Sequence, residues 1–577
     1  MSLSSSLPLP PFLPLPHSSS LTKHQFDDFL QFIAQHESLG HRRQEFLLEF
    51  EEQGLLEDQD QKQNDSENWE TSKCSALSLH LYDCKIQCRG PDDRIYLSQT
   101  IPHHERIRRH ITRGCVLVHL KATQEDQQYD SSKEQKRPAC FYLFQGYGKF
   151  LGMTEDDDDD MARQKDSAAS NAEQQNVDES STTQSDLFFH EKHSNAHHLI
   201  RIEKENGKAA HFAVIKLPGA PNSYLFVAGS KNVHILFRNR EDVQRVQDKE
   251  RQNSKWRNHG PSLHCRIAEL LLDFLDEMDK EKREEFLSTL SGHGLMMNFE
   301  LMLKEEQHVV DYQLEKHELR FLAFTPRTFE NDEFCNQIGK CLPVVASMEW
   351  VKQFGFKTAR YEVEDYTPDN LQKMIESVRK TPNSEGAVIY FADAYNRTLG
   401  LWKVKSEWYI ILRAIREKLV NMYVDFNARI ASRMRQLQNR LSLSNEDVWR
   451  WNLLADALHK YTKERIREGQ IQEDSQAIRD GFATLLTTFL KEYKHPENVR
   501  EVHSKLEMTD MSPLSMAAKS KKRKGNWQNR SDNGGNKRKR QKQNKQQKKQ
   551  KTETNGSARE NDKRKESSDG GFQLHYL

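Results

Sequence analysis

The chain has 577 residues, of which 36% are hydrophobic and 30% charged, with a mean hydropathy of −0.88. That length allows two or three domains, and a chain this polar carries unfolded segments beside its core. No stretch is long and apolar enough to span a bilayer, and the eight cysteines, with Cys84 and Cys88 four apart and no matching second pair, fit a reduced intracellular protein better than a disulfide scaffold or zinc module. The opening MSLSSSLPLPPFLPLPHSSS lacks basic residues and is broken by prolines, so no signal or transit peptide is expected.

In chain order, residues 1–22 are expected to be disordered. His24 to Phe50 predicts a helix, because Phe26, Phe29, Leu30 and Ile33 repeat at three and four. CVLVHL from Cys115 and CFYLF from Cys140 read as strands. An acidic, polar low-complexity insert follows at 154–190, containing DDDDD and a Ser/Gln/Asn-rich run. Strands return at HFAVIKL, at YLFVAG after a turn at Pro218–Asn222, and at VHILF. Ile267 to Met278 is an amphipathic helix, with Ile267, Leu270, Leu271, Phe274, Leu275 and Met278 on one face. LMMNFELML, HVVDYQL, ELRFLAF, EGAVIYF and LGLWKVK predict further strands. From Glu407 almost to Tyr493 the pattern is helical. The expected organisation is α+β: an N-terminal part at 23–153, the insert, a core at 191–406 with antiparallel sheets, an all-helical domain at 407–510 and a basic disordered tail at 511–577.

The net charge of zero hides an asymmetry. From Lys519 the chain reads KSKKRKGNWQNRSDNGGNKRKRQKQNKQQKKQK, so the remainder is net acidic. Such clusters suit nuclear localisation or attachment to nucleic-acid phosphates, although the tail could equally hold RNA in the cytoplasm.

The residues that carry chemistry are spread along the core. Lys204-Glu205-Asn206-Gly207 places a lysine before an Asn-Gly turn between two strand-like segments. Glu300 stands in an apolar strand, Asn298-Phe299-Glu300. Glu385-Gly386 opens the AVIYF strand. Lys403 and Lys405 flank Val404, so both lysines share one strand face. Charged side chains in apolar strands are costly unless they face a polar site. A lysine nucleophile, two carboxylates for a divalent metal and cations for phosphates suit adenylyl transfer. Burial and the cations Lys403 and Lys405 are expected to lower the pKa of Lys204, with Glu300 and Glu385 opposing that shift unless a metal neutralises them.

This order of K-x-x-G, N-F-E, an L-x-F strand, E-G and K-x-K resembles the covalent nucleotidyltransferases, which comprise DNA ligases, RNA ligases and mRNA capping enzymes. LWKVKSEWYIILRAIREK is most similar to the RNA ligase branch, typified by the phage tRNA-repairing ligase and the ligase domain of fungal tRNA ligase. Thr112-Arg113-Gly114 resembles that branch's R-G segment, Gly148-Lys149-Phe150 its K-F-F-N segment, and Ser230-Lys231-Asn232 its S-K-x segment. The likeness spans about Ile111 to Lys418. It departs from the branch at Leu151 and Gly152, where Phe and Asn are usual, and at Asn206, where DNA ligases have Asp.

The resemblance implies a nucleotidyltransferase core and an ATP-dependent RNA ligase that joins 5′-phosphate and 3′-hydroxyl ends. Lys204 would form lysyl-AMP. Lys403 and Lys405 would contact phosphates, Arg113 and Lys149 would hold those of ATP, and Lys231 would line the site. Glu300 would bind the ribose. Asn206 and Gly207 would line the nucleotide site, and Glu385 with Glu300 would bind Mg²⁺ or Mn²⁺. No G-x-x-x-x-G-K-[ST] loop and no pair of H-x-T motifs is present, so sealing without end preparation is expected. Two alternatives stand beside this reading: a capping-type guanylyltransferase that uses GTP, and an RNA-binding protein with a degenerate ligase fold.

Overall fold

The computed structural model describes residues 20–49, 76–88, 93–98, 104–122, 140–153, 187–217, 223–252, 261–327, 339–421 and 425–492. All of them lie in the first of two units, Met1–His503 and Ser504–Leu577. β1 (Leu39–Glu49), β2 (Ala76–Ile86), β3 (Cys115–Ala122) and β4 (Cys140–Phe144) form one antiparallel sheet in that order. The later strands are β5 (His198–Glu203), β6 (Lys208–Lys216), β7 (Tyr224–Ser230), β8 (His234–Phe237), β9 (Met296–Met302), β10 (Glu318–Thr325), β11 (Lys357–Thr358), β12 (Tyr361–Asp365), β13 (Gly386–Ala392) and β14 (Thr398–Lys405). They build a six-stranded sheet, β11-β10-β9-β6-β7-β8, and a second four-stranded sheet, β12-β5-β13-β14. Every strand pair is antiparallel except the short β10–β11 pair.

Side-chain alternation sorts these sheets into layers. In β6 and β7, Ala213, Ile215, Leu225 and Val227 meet Leu79, Leu81, Val116 and Val118 of the first sheet. Phe212, Val214, Phe226 and Ala228 point the other way, toward helices Leu263–Glu277, Lys280–His293 and Val344–Gln353 and toward Ile200, Ile202 and Tyr390 of the third sheet. The six-stranded sheet is therefore buried on both faces, which is why HFAVIKL and YLFVAG are continuously apolar. The outer face of the first sheet is covered by Phe26, Phe29, Phe32 and Ile33 of helix Lys23–Ala34. Met374, Ile375 and Val378 of helix Pro368–Lys380 cover Ala387, Ile389 and Val404 on the far face of the third sheet.

The mixed α+β organisation with antiparallel sheets and a helical C-terminal region matches the expectation. Helices Glu407–Leu419, Phe426–Leu441, Asn445–Arg467, Ser475–Asp480 and Phe482–Glu492 follow β14. Two elements differ. The predicted helix from His24 stops at Ala34, and Leu39–Glu49 is β1, paired with β2 from Leu39↔Ile86 to Glu49↔Ala76. That pairing joins distant segments, so no local period announces it. HVVDYQL is a loop in which Gln313 takes a φ of 51°. Its apolar residues are buried by the site rather than by a sheet. Disorder is expected over residues 1–22; residues 1–19 lie outside the described residues, while Leu21 N–H donates to Phe141 O and Thr22 caps the first helix. Of the acidic insert expected at 154–190, residues 154–186 lie outside the described residues, as does the basic tail, whereas Phe188 and Phe189 at its end pack into the core. Among the described residues no helix is long and apolar enough to cross a membrane.

Candidate active site

Lys204 to Gly207 carries the chain out of β5 in the third sheet and into β6 in the six-stranded sheet. The Asn-Gly pair therefore spans two sheets instead of closing a hairpin. Lys204 N–H donates to Gly386 O, and Gly386 pairs with Lys405, while Val388 lies between Ile202 and Lys403. Directly opposed residues share a face, so Lys204, Lys403 and Lys405 all lie on the side toward the six-stranded sheet. Val404 and Ala387 take the opposite face, against helix Pro368–Lys380. From across the gap β9 supplies Glu300.

The Lys204 Nζ is 2.9 Å from Glu385 Oε1, and the Glu385 side chain is 6% exposed. The other carboxylate oxygen accepts from Asn206 Nδ2 at 2.6 Å. Asn206 is a hub. Its Nδ2 also donates to the Tyr409 hydroxyl at 3.2 Å, its Oδ1 accepts from Val309 N–H, and its own N–H donates to the Tyr312 hydroxyl at 2.8 Å. Gly207 N–H donates to Glu300 Oε1 at 2.9 Å. Ser406 caps the helix that begins at Glu407 by accepting from Tyr409 N–H, and so aims Tyr409 at Asn206.

The charge state of Lys204 differs from the expectation. Burial pushes its pKa down, but the carboxylates of Glu385 and Glu300 more than offset this, and the amine ends above the ordinary lysine value. The Arg113 guanidinium opposes them. Burial drives the Glu300 carboxyl up to about 7, with Glu385 adding repulsion and Lys204 and the Gly207 N–H opposing. Two crowded acids of which one resists ionisation make a fitting pair for a divalent cation.

That carboxyl predicts a pH effect on stability. With a folded pKa of about 7 against 4.5 for a free glutamate, the unfolded chain ionises first as pH rises. The penalty is absent below 4.5, accumulates between 4.5 and 7 and stays constant above. Glu300→Gln keeps an acceptor for Gly207 and removes the charge. It should be more stable than the parent by about 3 kcal/mol at pH 8 and equal to it near pH 4, read by urea unfolding.

The remaining predicted residues are brought to the same region to different degrees. Arg113 N–H donates to Tyr147 O, and Gly114 N–H donates to Lys231 O in the β7–β8 turn, so the R-G and S-K-x segments meet through their backbones. Lys149 is 5% exposed and precedes Leu151, whose carbonyl accepts from Lys403 N–H. Sequence reading gave no role to Tyr312, Tyr409, Ser406 or Arg320. Arg320 donates to buried Glu205 at 2.7 Å, directly opposite Glu300 on β10. Only Ser406 and Tyr409 had a sequence signal, as the S-x-W-Y that follows K-x-K.

Two glycines are set by close approach. A Cβ on Gly207 would stand 2.3 Å from Leu301 O, and one on Gly386, whose φ is +133°, would stand 2.0 Å from Val404 O. Neither backbone carbonyl can move without opening a sheet. Gly207→Ala should lower stability by about 1–3 kcal/mol in thermal or urea unfolding. Unchanged stability would show that this crossing is not packed as described.

A cavity of about 770 Å³ opens next to this cluster, lined in part by Glu205, Tyr312, Arg320, Phe356, Lys357 and Arg360, though not by Lys204 or Glu385. A family model described as a domain of unknown function (DUF7920) matches residues 185–416. That span takes in Lys204, Glu300, Glu385, Lys403 and Lys405 and leaves out Arg113 and Lys149. No curated protein matches the chain.

Proposed function

We propose that the protein is an ATP-dependent RNA ligase that works through AMP bound covalently to Lys204. The observation that carries the reading is the Lys204 amine, held 2.9 Å from the buried Glu385 carboxylate, with Glu300 close enough to raise its pKa. The ordered resemblance to the RNA ligase branch supports it. In the first step the neutral amine of Lys204 attacks the α-phosphorus of ATP. An N–P bond forms, the bond to the β-phosphate oxygen breaks and pyrophosphate leaves. Glu385 is placed to take the ammonium proton, which a lysine must lose before it can attack. An oxygen of an RNA 5′-phosphate then attacks the AMP phosphorus, the N–P bond breaks and the amine regains a proton. Last, a 3′-hydroxyl attacks the activated 5′-phosphate, AMP leaves and the phosphodiester forms.

In this reading Arg113, Lys149, Lys403 and Lys405 bind phosphates, Lys231 lines the site, and Glu300 binds the ribose. Asn206 and Gly207 hold the two carboxylates in register on either side of the amine. Glu300 and Glu385 would hold Mg²⁺ or Mn²⁺, which would neutralise phosphate charge. The tail from Lys519 would tether RNA electrostatically and suits a nuclear location.

The test is to incubate the full chain with α-labelled ATP or GTP and a divalent cation, then look for an acid-resistant adduct. Label from ATP supports the ligase reading. Label from GTP alone would transfer the protein to the capping class. No label from either, in folded protein, would leave a degenerate, RNA-binding form of the fold.

A further inference from the structure

A second cluster stands apart from Lys204. The helix Arg240–Gln252 presents Glu250 near its last turn, and the helix Leu263–Glu277 presents His264 and Cys265 in its first. Their ligand atoms all lie within 4.8 Å of one another. His264 Nε2 is 2.9 Å from Glu250 Oε1 and also 2.9 Å from Ser262 Oγ. The Ser262 hydroxyl, which can donate or accept, and the Glu250 carboxylate thus crowd the same ring nitrogen. Ser262 occupies the N-cap position of its helix, yet its side chain makes no capping bond. The residue best suited to satisfy the helix end has turned into the cluster instead.

Burial adds to this. Cys265 is fully buried and His264 is 7% exposed, while the Glu250 side chain is 28% exposed. The cluster is dry on two sides and open on the third, where an ion could enter. Sulfur, imidazole nitrogen and carboxylate oxygen together select zinc over magnesium or calcium, which take oxygen alone. A tetrahedral zinc spaces such donors about 3.4–3.6 Å apart, so the Nε2–Oε1 pair at 2.9 Å has to open slightly while wider pairs, all within 4.8 Å, close.

We propose that Glu250, His264 and Cys265 form a zinc site that clips these two helices together. On binding, the Cys265 thiol gives its proton to solvent, and His264 binds as the neutral Nδ1–H tautomer, any proton on Nε2 moving to Nδ1 or leaving to solvent. Thiolate and carboxylate then balance the two positive charges of the ion. The Ser262 hydroxyl or a water completes the fourth position. The two helices are joined by residues 253–262, so the ion would hold the two ends of that connection. The proposal does not rest on the reading of Lys204.

The experiment uses the untagged full chain, stripped with chelator and titrated with Zn²⁺ and, separately, with Co²⁺. One zinc per chain is expected, with a rise in Tm and a thiolate-to-cobalt charge-transfer band. Cys265→Ser and His264→Gln should each weaken zinc binding by at least about 10–100-fold, since even outer-sphere losses reach that size. Cys265→Ser should also abolish the cobalt band, and His264→Gln should lower it at limiting Co²⁺. If Cys265→Ser does not fold, Glu250→Gln gives the same test from the partly exposed side. Failure of the parent chain to bind a stoichiometric ion, or an unchanged cobalt band in the folded variants, overturns the site.

Discussion

Lys204→Ala should abolish acid-resistant labelling by ATP, a loss of at least about 10⁴-fold in adduct formation, because no other group replaces a covalent nucleophile. The variant also leaves Glu385 and Glu300 facing each other without the amine that now lies 2.9 Å from the first of them. A structural explanation for lost activity therefore has to be separated from a chemical one. Lys204→Arg does this. Its guanidinium keeps a positive charge beside Glu385 and preserves the ion pair, but it stays protonated at every accessible pH and cannot attack phosphorus. The expected pattern is near-parental stability for Lys204→Arg with no label, and no label for Lys204→Ala with lower stability. Label at the parental level in either variant would remove Lys204 from the mechanism.

The second large effect is expected at Asn206. Asn206→Asp is nearly isosteric and supplies the residue that DNA ligases carry at this position, yet it should destabilise this chain by about 3–5 kcal/mol at pH 8, the cost of an uncompensated buried charge. The Nδ2 that donates to Glu385 Oε2 at 2.6 Å and to Tyr409 becomes an oxygen. Two carboxylates then meet in a pocket where Asn206 and Glu385 are each 5% exposed. Crowded carboxylates share one proton rather than ionise together. The loss should therefore shrink on acidification toward pH 5, as the pair gains that proton. Denaturant unfolding across this pH range reads the effect. A pH-independent loss would show that Asn206 packs the site without serving Glu385.

Asn206 also illustrates how tyrosines are recruited. Tyr312 comes from a loop and Tyr409 from a helix, and both hydroxyls accept from Asn206, the first from its backbone N–H and the second from its Nδ2. Burial, together with the charge of Glu205 beside the first and Glu385 beside the second, pushes both phenols above the ordinary tyrosine value. They remain neutral donors and acceptors, which suits a hub that must order a carboxylate without adding charge.

The sequence by itself determined the local frame of this protein. Alternation in LGLWKVK put Lys403 and Lys405 on one face and Val404 in the core. The apolar runs HFAVIKL and YLFVAG read correctly as strands, and the helical stretch after Glu407 followed from its own period. These features are set by neighbours one to four residues apart, which a single chain displays openly. Only the tertiary structure decided the rest. β1 and β2 exist because they pair with each other, Leu39 with Ile86, across a separation that no short-range pattern encodes. The HVVDYQL segment alternates like a strand, yet its Val309 N–H donates to Asn206 Oδ1 and its Tyr312 hydroxyl accepts from Asn206 N–H. The protonation of Lys204 depends on which charges burial brings within reach, and there the carboxylates of Glu385 and Glu300 outweigh burial. Adjacent His264 and Cys265 carry no metal spacing in the sequence; Glu250 joins them only because two helices pack side by side. Periodicity is a local property of the chain, whereas electrostatic environment is set through space, and that is where the sequence falls silent.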